Sequence, residues 1–582
     1  MLATPVFAAA RRVIFVEAGH QGGTGTSGNP VGSISEAEQI SRTDDVIFVA
    51  EATTPYEESV ALKHGQMLIG SAFGLDAVRA ELHVELDAPA VAAAAGAGPV
   101  IHGTISLSGN NVVAGCTLIA DASSATAVSA QSPDGPITLR SIFVRTSNGA
   151  SGLYVGNASA EVRWIGGRLD AAQRGAGIFI TGGGADITVT HVPIEGDFVN
   201  VIAVRGRTGG SVAFRDGSTI KVRNASGDAV TLIDSRGTVA FESPLQIDAS
   251  DGRGLVANRV QKLVINGGSS WIDAMNATAL DIRDSQLDVE LQHISAERDA
   301  GTRMSDGMLL DKVSGRFDIT GDGSTAGSGG TIRNALAYGV RITQSSSVHL
   351  RNMAIVGGGS GDSPEECPRD IPKQTNLRCR AGLYLRHVEN ARFENITIED
   401  NGGVGLNANN LVDSTFEQIR VTRTGTQLAE PALLIDEARG KIIFTLCSFI
   451  DGTGGAAVIE QRFNSARLTF DRCDFSAPGR PQSAPSLLRA RVAGFGRLRL
   501  DLLDARVHDN AGSGVDVAAS DASTLAFRVT SSYMQQLGSP AVKIAGSDSS
   551  IVCAALSGNV IIGGANPAVQ FVGTAAAASQ CP

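Results

Sequence analysis

Three sets of residues in this 582-residue chain carry side chains able to cut or hold a sugar polymer. Asp318 and Asp322 form the first set: glycoside hydrolysis needs two carboxyl groups flanking the scissile bond, one to protonate the leaving oxygen and one to serve as base or nucleophile. Aspartate is equally at home in turns, so the same pair also reads as turn chemistry. His349, Arg351 and Lys373 form the second set, suited to eliminative cleavage of a uronate: a base takes the proton α to the carboxylate and a cation neutralises the charge that develops. His349 and Arg351 alternate with Val348 and Leu350, which puts both on the outward side of one strand, where they read equally as solvated surface groups. The third set suits binding. Arg341, Tyr384 and Asn407 fall at outward positions of neighbouring strands, Arg386 and His387 lie beside them, and the segment from Gly357 to Arg380 adds Asp362, Glu365, Glu366 and Asp370.

Other chemistries are excluded. No Cys/His spacing matches a zinc site and no Asp/Gly nonapeptide repeat of the calcium-binding kind occurs, so neither a metal nor a cofactor is expected. The formal charge of −11 and a pI near 5.4 give no basic footprint for nucleic acid. No apolar run reaches the ~20 residues of a membrane span. Two Trp and five Tyr leave little material for a sugar-stacking platform.

The elements that must position these residues come from one phrase, apolar-x-apolar-x-x-apolar-x-apolar, which returns about every 25 residues from Ile137 onward. It opens at Ile137, Val162, Ile187, Val212, Val239, Leu263, Val289, Phe317, Val348, Ala391, Ser414, Ile442, Leu468, Leu500, Phe527 and Ile551. A second apolar run follows each copy, as in Gly382-Leu383-Tyr384-Leu385 and Ala432-Leu433-Leu434-Ile435. Steps of two are the strand period, and the step of three fits a bend between strands rather than a helix face. Val, Ile, Phe and Thr dominate the runs while Gly, Asn, Asp and Ser separate them.

Each repeat is therefore one coil of an all-β parallel β-solenoid of about 16 coils, which buries a core that no single coil could form. Sixty-nine glycines, 19 prolines and 5% aromatics suit tight turns and a narrow aliphatic interior. One long domain is expected: residues 13–134 as N-terminal cap and first coils, and residues 135–582 as regular coils with a loop insertion at 357–380. Residues 1–12 read as a signal remnant or an irregular tail. Ser33-Ile34-Ser35-Glu36 is a capping box, with Ser33 as N-cap and Glu36 reaching back, for a short helix to about Arg42. Ser71 to Pro99 reads as an Ala-rich loop.

The series Gly25-Thr26-Ser27-Gly28-Asn29-Pro30, Asp44-Asp45-Val46-Ile47-Phe48-Val49 and Leu62-Lys63-His64-Gly65-Gln66 before Leu68-Ile69-Gly70 resembles the opening of pectate lyase-like right-handed β-helix proteins. Its wording is similar to the β-helix regions of bacterial surface and adhesin-like proteins. The resemblance implies right-handed coils, a short N-terminal capping helix, and a secreted or cell-surface location. It does not extend to catalytic motifs: Gly-His-Gly, Asn-Thr-Asp and Arg-x-Pro-x-x-Arg are absent, and Trp271-Ile272-Asp273-Ala274 has Ala274 where the lyase motif has His.

Cys367 and Cys379 bracket the insertion, where a disulfide would tie down the loop. Cys447 and Cys473 hold the same phrase position in consecutive coils and should stack inside, bonded or as free thiols. Cys553 and Cys581 are placed to clamp the C-terminal end, leaving Cys116 unpaired. The functional expectation is an extracellular binding or adhesin-like module whose partner is a polysaccharide or cell-surface ligand. The alternatives are a lyase or hydrolase acting on an acidic polysaccharide, and a spacer.

Overall fold

The computed structural model describes residues 10–96, 98–302, 304–359, 380–427, 430–478, 485–538, 540–562 and 567–577. Alternating burial along each short run makes it a strand with one inward face, and three such strands make a coil. One coil passes through Val348–Arg351, Ala354–Val356 and Ala381–Arg386, and the next through Arg392–Glu394, Thr397–Glu399 and Val404–Val412. Equivalent strands pair in parallel: His349 lies opposite Arg392, Ala354 opposite Thr397 and Leu383 opposite Leu406. The chain is thus an all-β, right-handed parallel β-solenoid of about 16 turns. Among the described residues no helix is long and apolar enough to cross a membrane.

The chain divides into two compact units, Met1–Ile272 and Asp273–Pro582. In the first, the phrase openings Ile137, Val162, Ile187, Val212, Val239 and Leu263 pair in one register. In the second, Val289, Phe317 and Val348 form one such file, and Ile442, Leu468, Leu500 and Phe527 another. The last opening expected from the sequence is displaced: Phe527 pairs with Ala554, while Ile551 pairs with Thr524. Val552 and Ala554 are the residues that turn inward there, so Ile551 falls on the exposed side.

The first unit begins with the strand Arg11–Val16, paired in parallel with Val46–Val49. Helix α1, Ile34–Ile40, is capped as the sequence implies, Ser33 Oγ accepting from the Glu36 N–H at 3.1 Å. The Glu36 carboxylate reaches back one residue further than expected, to the Gly32 N–H at 3.0 Å. A second helix, α2 (Leu75–Glu81), stands where the Ala-rich composition predicts a loop. Its Leu75 and Val78 pack into an apolar cluster with Val13, Phe48, Met67 and Ile69, burial that the local composition does not advertise.

The three-residue step inside the phrase is the bend between first and second strands. One residue at each bend enters the left-handed region: Asn395 (φ 50°), Gln418 (56°), Leu446 (56°), Arg472 (53°), Asp504 (49°) and Ser531 (52°) in successive coils of the second unit. Asn and Asp visit this region readily, whereas Leu446 and Arg472 do so against a steric cost of about 1–2 kcal/mol.

Behind the first strands, Phe393, Phe416, Phe444 and Phe470 stack face to face at centroid distances of 4.9, 4.5 and 4.8 Å. That spacing follows from the separation of paired strands, ~4.8 Å. Cys447 and Cys473 lie next to this stack as buried free thiols, their Sγ atoms 3.5 and 3.4 Å from the Phe416 and Phe444 carbonyl oxygens. Burial pushes the Cys473 thiol up, which favours the neutral thiol. Cys116 is free and buried, its thiol pushed up to about 12. Cys553 is disulfide-bonded, and Cys367, Cys379 and Cys581 lie outside the described residues.

Candidate functional site

In the second unit, four consecutive third strands carry charge on their outward side: Leu280–Arg283, Asp306–Asp311, Tyr338–Thr343 and Ala381–Arg386. Their register makes two files, Asp281–Leu309–Arg341–Tyr384–Asn407 and Arg283–Asp311–Thr343–Arg386–Asn409. Between them opens a cleft of about 260 Å³ whose lining includes Arg283, Asp311, Lys312, Arg341, Thr343 and Arg386. Lys312 reaches it from the turn that follows its strand, where its φ is 52°.

Buried carboxylates hold two of these cations in place. Arg283 forks onto Asp281, Nε to Oδ1 at 2.7 Å and Nη2 to Oδ2 at 3.2 Å. Arg341 Nη2 lies 2.7 Å from Asp306 Oδ2, and its guanidinium carbon sits 5.3 Å from the centre of the Tyr338 ring. Tyr338 in turn packs on Tyr384 at 4.8 Å. Burial raises the Asp306 carboxyl to about 6; Arg341 pulls it down and the Asp281 carboxylate pushes it up. Thr343 donates its hydroxyl to Asp311, and Lys312 Nζ stands 3.8 Å from Asp284. Guanidinium groups fixed in this way present their remaining N–H donors as a fork that matches a carboxylate or sulfate.

A second row of titratable groups occupies the outward side of the first strands. Asp318, His349 and Arg392 are in register, as are Arg351 and Glu394. His349 Nδ1 lies 3.8 Å from Asp318 Oδ1 and its Nε2 3.4 Å from Glu394 Oε2. Partial burial holds the imidazole below its usual value, against the pull of the Glu394 carboxylate, and so favours the neutral, base-competent ring at pH 7. Arg316 gathers Asp288, Glu290 and Asp318 at 3.1, 3.2 and 3.3 Å.

These positions correct several expectations. Arg341 and Arg386 meet in the cleft, but His349 and Arg351 project from first strands, on another face of the coil, and are not brought to them. Tyr384 and Asn407 keep their outward register yet are only 2% and 4% exposed. Tyr384 belongs to a separate buried cluster with Tyr338, Leu434 and Val458, which explains why an outward position is not a surface position here. His387 sits in the turn after its strand with φ 51°. Asp322 is a turn residue: its Oδ1 accepts from Thr325 N, Ser324 N and Ser328 Oγ at 2.7, 3.0 and 2.9 Å, bonds that hold the carboxyl well below the usual range. Its Oδ1 is thus committed to the loop, as the turn reading of this aspartate expects. Lys373, Asp362, Glu365, Glu366, Asp370 and the Cys367–Cys379 pair lie outside the described residues.

Sequence reasoning missed Arg283, Lys312, Asp281 and Asp306. The signal was present in the spacing: aligning the second runs of consecutive coils puts Arg283, Asp311, Thr343 and Arg386 in one column.

Residues 317–484 match a family model described as right handed beta helix region. With the parallel solenoid described above, that match supports a right-handed β-helix of the pectate lyase-like kind. The fold is of the kind found in polysaccharide-related and surface proteins. No curated protein and no solved structure gives a match.

Proposed function

We propose that this chain is an extracellular binding module, secreted or displayed on a bacterial surface, that holds an acidic polysaccharide in the cleft of the second unit. The observation that carries this reading is the set Arg283, Lys312, Arg341 and Arg386 around one cleft, with Arg283 and Arg341 fixed by the buried carboxylates Asp281 and Asp306. Donors already ordered by the protein lose little freedom when an anionic sugar arrives, so more of the contact energy reaches affinity. The test is binding of polygalacturonate and of a neutral glucan to the full chain. Polygalacturonate should bind in a salt-sensitive way, and Lys312→Gln with Arg386→Gln should weaken it about tenfold or more. Equal binding of the neutral glucan, or no effect of the two substitutions, overturns the reading.

One observation favours a second reading, eliminative cleavage of a uronate: a neutral His349 whose Nε2 has no hydrogen-bond partner among the described residues. An acid-polysaccharide screen that follows ultraviolet absorbance of unsaturated products decides it, and silence in wild type ends the catalytic assignment of His349 and Arg351.

A further inference from the structure

Five coils beyond His349 in the same outward file stands Asp501, a carboxylate with 0% exposure. Three arginines converge on it. Arg467 Nε lies 2.9 Å from Oδ2, while Arg499 Nε and Arg528 Nε lie 3.4 and 3.0 Å from Oδ1. All three contact it through Nε, the inner nitrogen of the guanidinium, which leaves the terminal Nη groups outside these contacts, and all three side chains remain over one-third exposed. Lys441 precedes Arg467 in its file by one coil. Neutralising one buried carboxylate needs one cation; three guanidinium groups around Asp501 leave two positive charges in excess. The one neighbouring carboxylate on the strand of Arg467, Asp471, is engaged by Arg472 at 3.0 Å.

A second observation lies at the start of the same strands. Phe463 and Phe495 are 73% and 76% exposed, the most exposed large apolar residues among those described. Phe463 precedes Arg467, and Phe495 precedes Arg499, by the same four residues, each in the turn that leads into the strand. Four residues reach at most about 14 Å, the length of a short oligosaccharide. Both turns are held by hydrogen bonds. The Phe495 N–H donates to the Arg462 carbonyl at 3.0 Å, and Glu437 accepts from the Arg462 N–H at 2.6 Å and the Phe463 N–H at 3.2 Å.

We infer that these groups form an anionic-glycan subsite: a sugar ring rests its apolar face on Phe463 and Phe495 while its sulfate or carboxylate is taken by the Nη groups of Arg467, Arg499 and Arg528. Aromatic faces supply apolar contact without directional demand, and the arginine forks supply recognition of the anion. The inference deepens the glycan-binding reading and rests on it, but uses residues separate from the cleft.

The experiment titrates the full chain with a chondroitin sulfate oligosaccharide, an oligogalacturonate and inorganic sulfate, in wild type and three variants. Arg467→Lys with Arg528→Lys keeps charge for Asp501 and removes the forks; it should weaken the better of the two oligosaccharides about tenfold. Phe463→Ala with Phe495→Ala, on exposed turns, should weaken that oligosaccharide comparably and leave inorganic sulfate unchanged. Lys312→Gln with Arg386→Gln reports binding in the cleft separately. Tighter binding of the oligogalacturonate identifies the anion as carboxylate, whereas tighter binding of chondroitin sulfate, which carries glucuronate as well, shows that sulfate is taken in addition. Wild-type affinity in both the arginine and phenylalanine variants overturns the subsite even when the cleft variant loses binding. Loss confined to the arginine and phenylalanine variants upholds the subsite and overturns the cleft. Binding of inorganic sulfate alone overturns the glycan assignment.

Discussion

Asp306 and Arg341 meet at 2.7 Å beneath the cleft, and the carboxylate of the pair is almost withdrawn from water. That burial makes its ionisation a stability term. The folded-state value is raised from 3.8 to about 6, so the stabilisation associated with the protonated form is complete below 3.8 and is lost as pH rises through about 6. By linkage the loss amounts to about 3 kcal/mol. Relative to Asp306→Asn, wild type should lose denaturant resistance across that window. Parallel curves for the two proteins contradict the assignment.

His349 should titrate below its ordinary value of 6.5 in the folded chain. A depressed histidine contributes stability that is present above 6.5 and lost as pH falls through the folded-state value. Because the Glu394 carboxylate opposes the depression, Glu394→Gln should lower the midpoint further, and Arg351→Gln should raise it. Ring-proton chemical shifts against pH give the answer directly.

Phe416 sits between Phe393 and Phe444 with ring centroids at 4.9 and 4.5 Å. Truncation to alanine opens a cavity in the middle of the stack and should cost about 3–5 kcal/mol. Phe463→Ala, on the surface, should change stability by less than about 0.5 kcal/mol. Urea midpoints of the two variants separate core from surface phenylalanine.

Leu446 holds φ at 56° with an exposed side chain. Replacement by Asn relieves the left-handed strain while losing little packing, and should stabilise by about 1 kcal/mol. A lower melting temperature for Leu446→Asn would mean that its side chain makes a contact worth more than the strain.

The strands are legible because an inward face writes itself as alternation: the repeating phrase by itself puts Phe393, Phe416, Phe444 and Phe470 inside, and all four are buried. The end of the pattern is not, since the Ile551 to Leu556 run offers two apolar registers and only pairing with Thr524 and Phe527 selects one. Of the site, the file Arg341–Tyr384–Asn407 follows from repeat spacing. Its burial does not, because alternation tells which side of the sheet a residue occupies and not what packs there. Asp306 escapes notice because it lies two residues before the buried Met308, across Gly307, where the strand has not yet settled into simple alternation.

The row of left-handed bends has a consequence for how such a chain changes length. Each corner is fixed by local backbone geometry that recurs from Asn395 to Ser531, and paired strands meet the same neighbours above and below. A duplicated or deleted coil therefore finds matching corners on both sides, whereas a single inserted residue within a strand needs a local bulge to restore the inward register, as where Gly196 and Asp197 face Val222 and Asn224. Growth by whole turns keeps every corner matched and growth by single residues does not, so the length of such a chain is counted in stacked units, like courses of masonry.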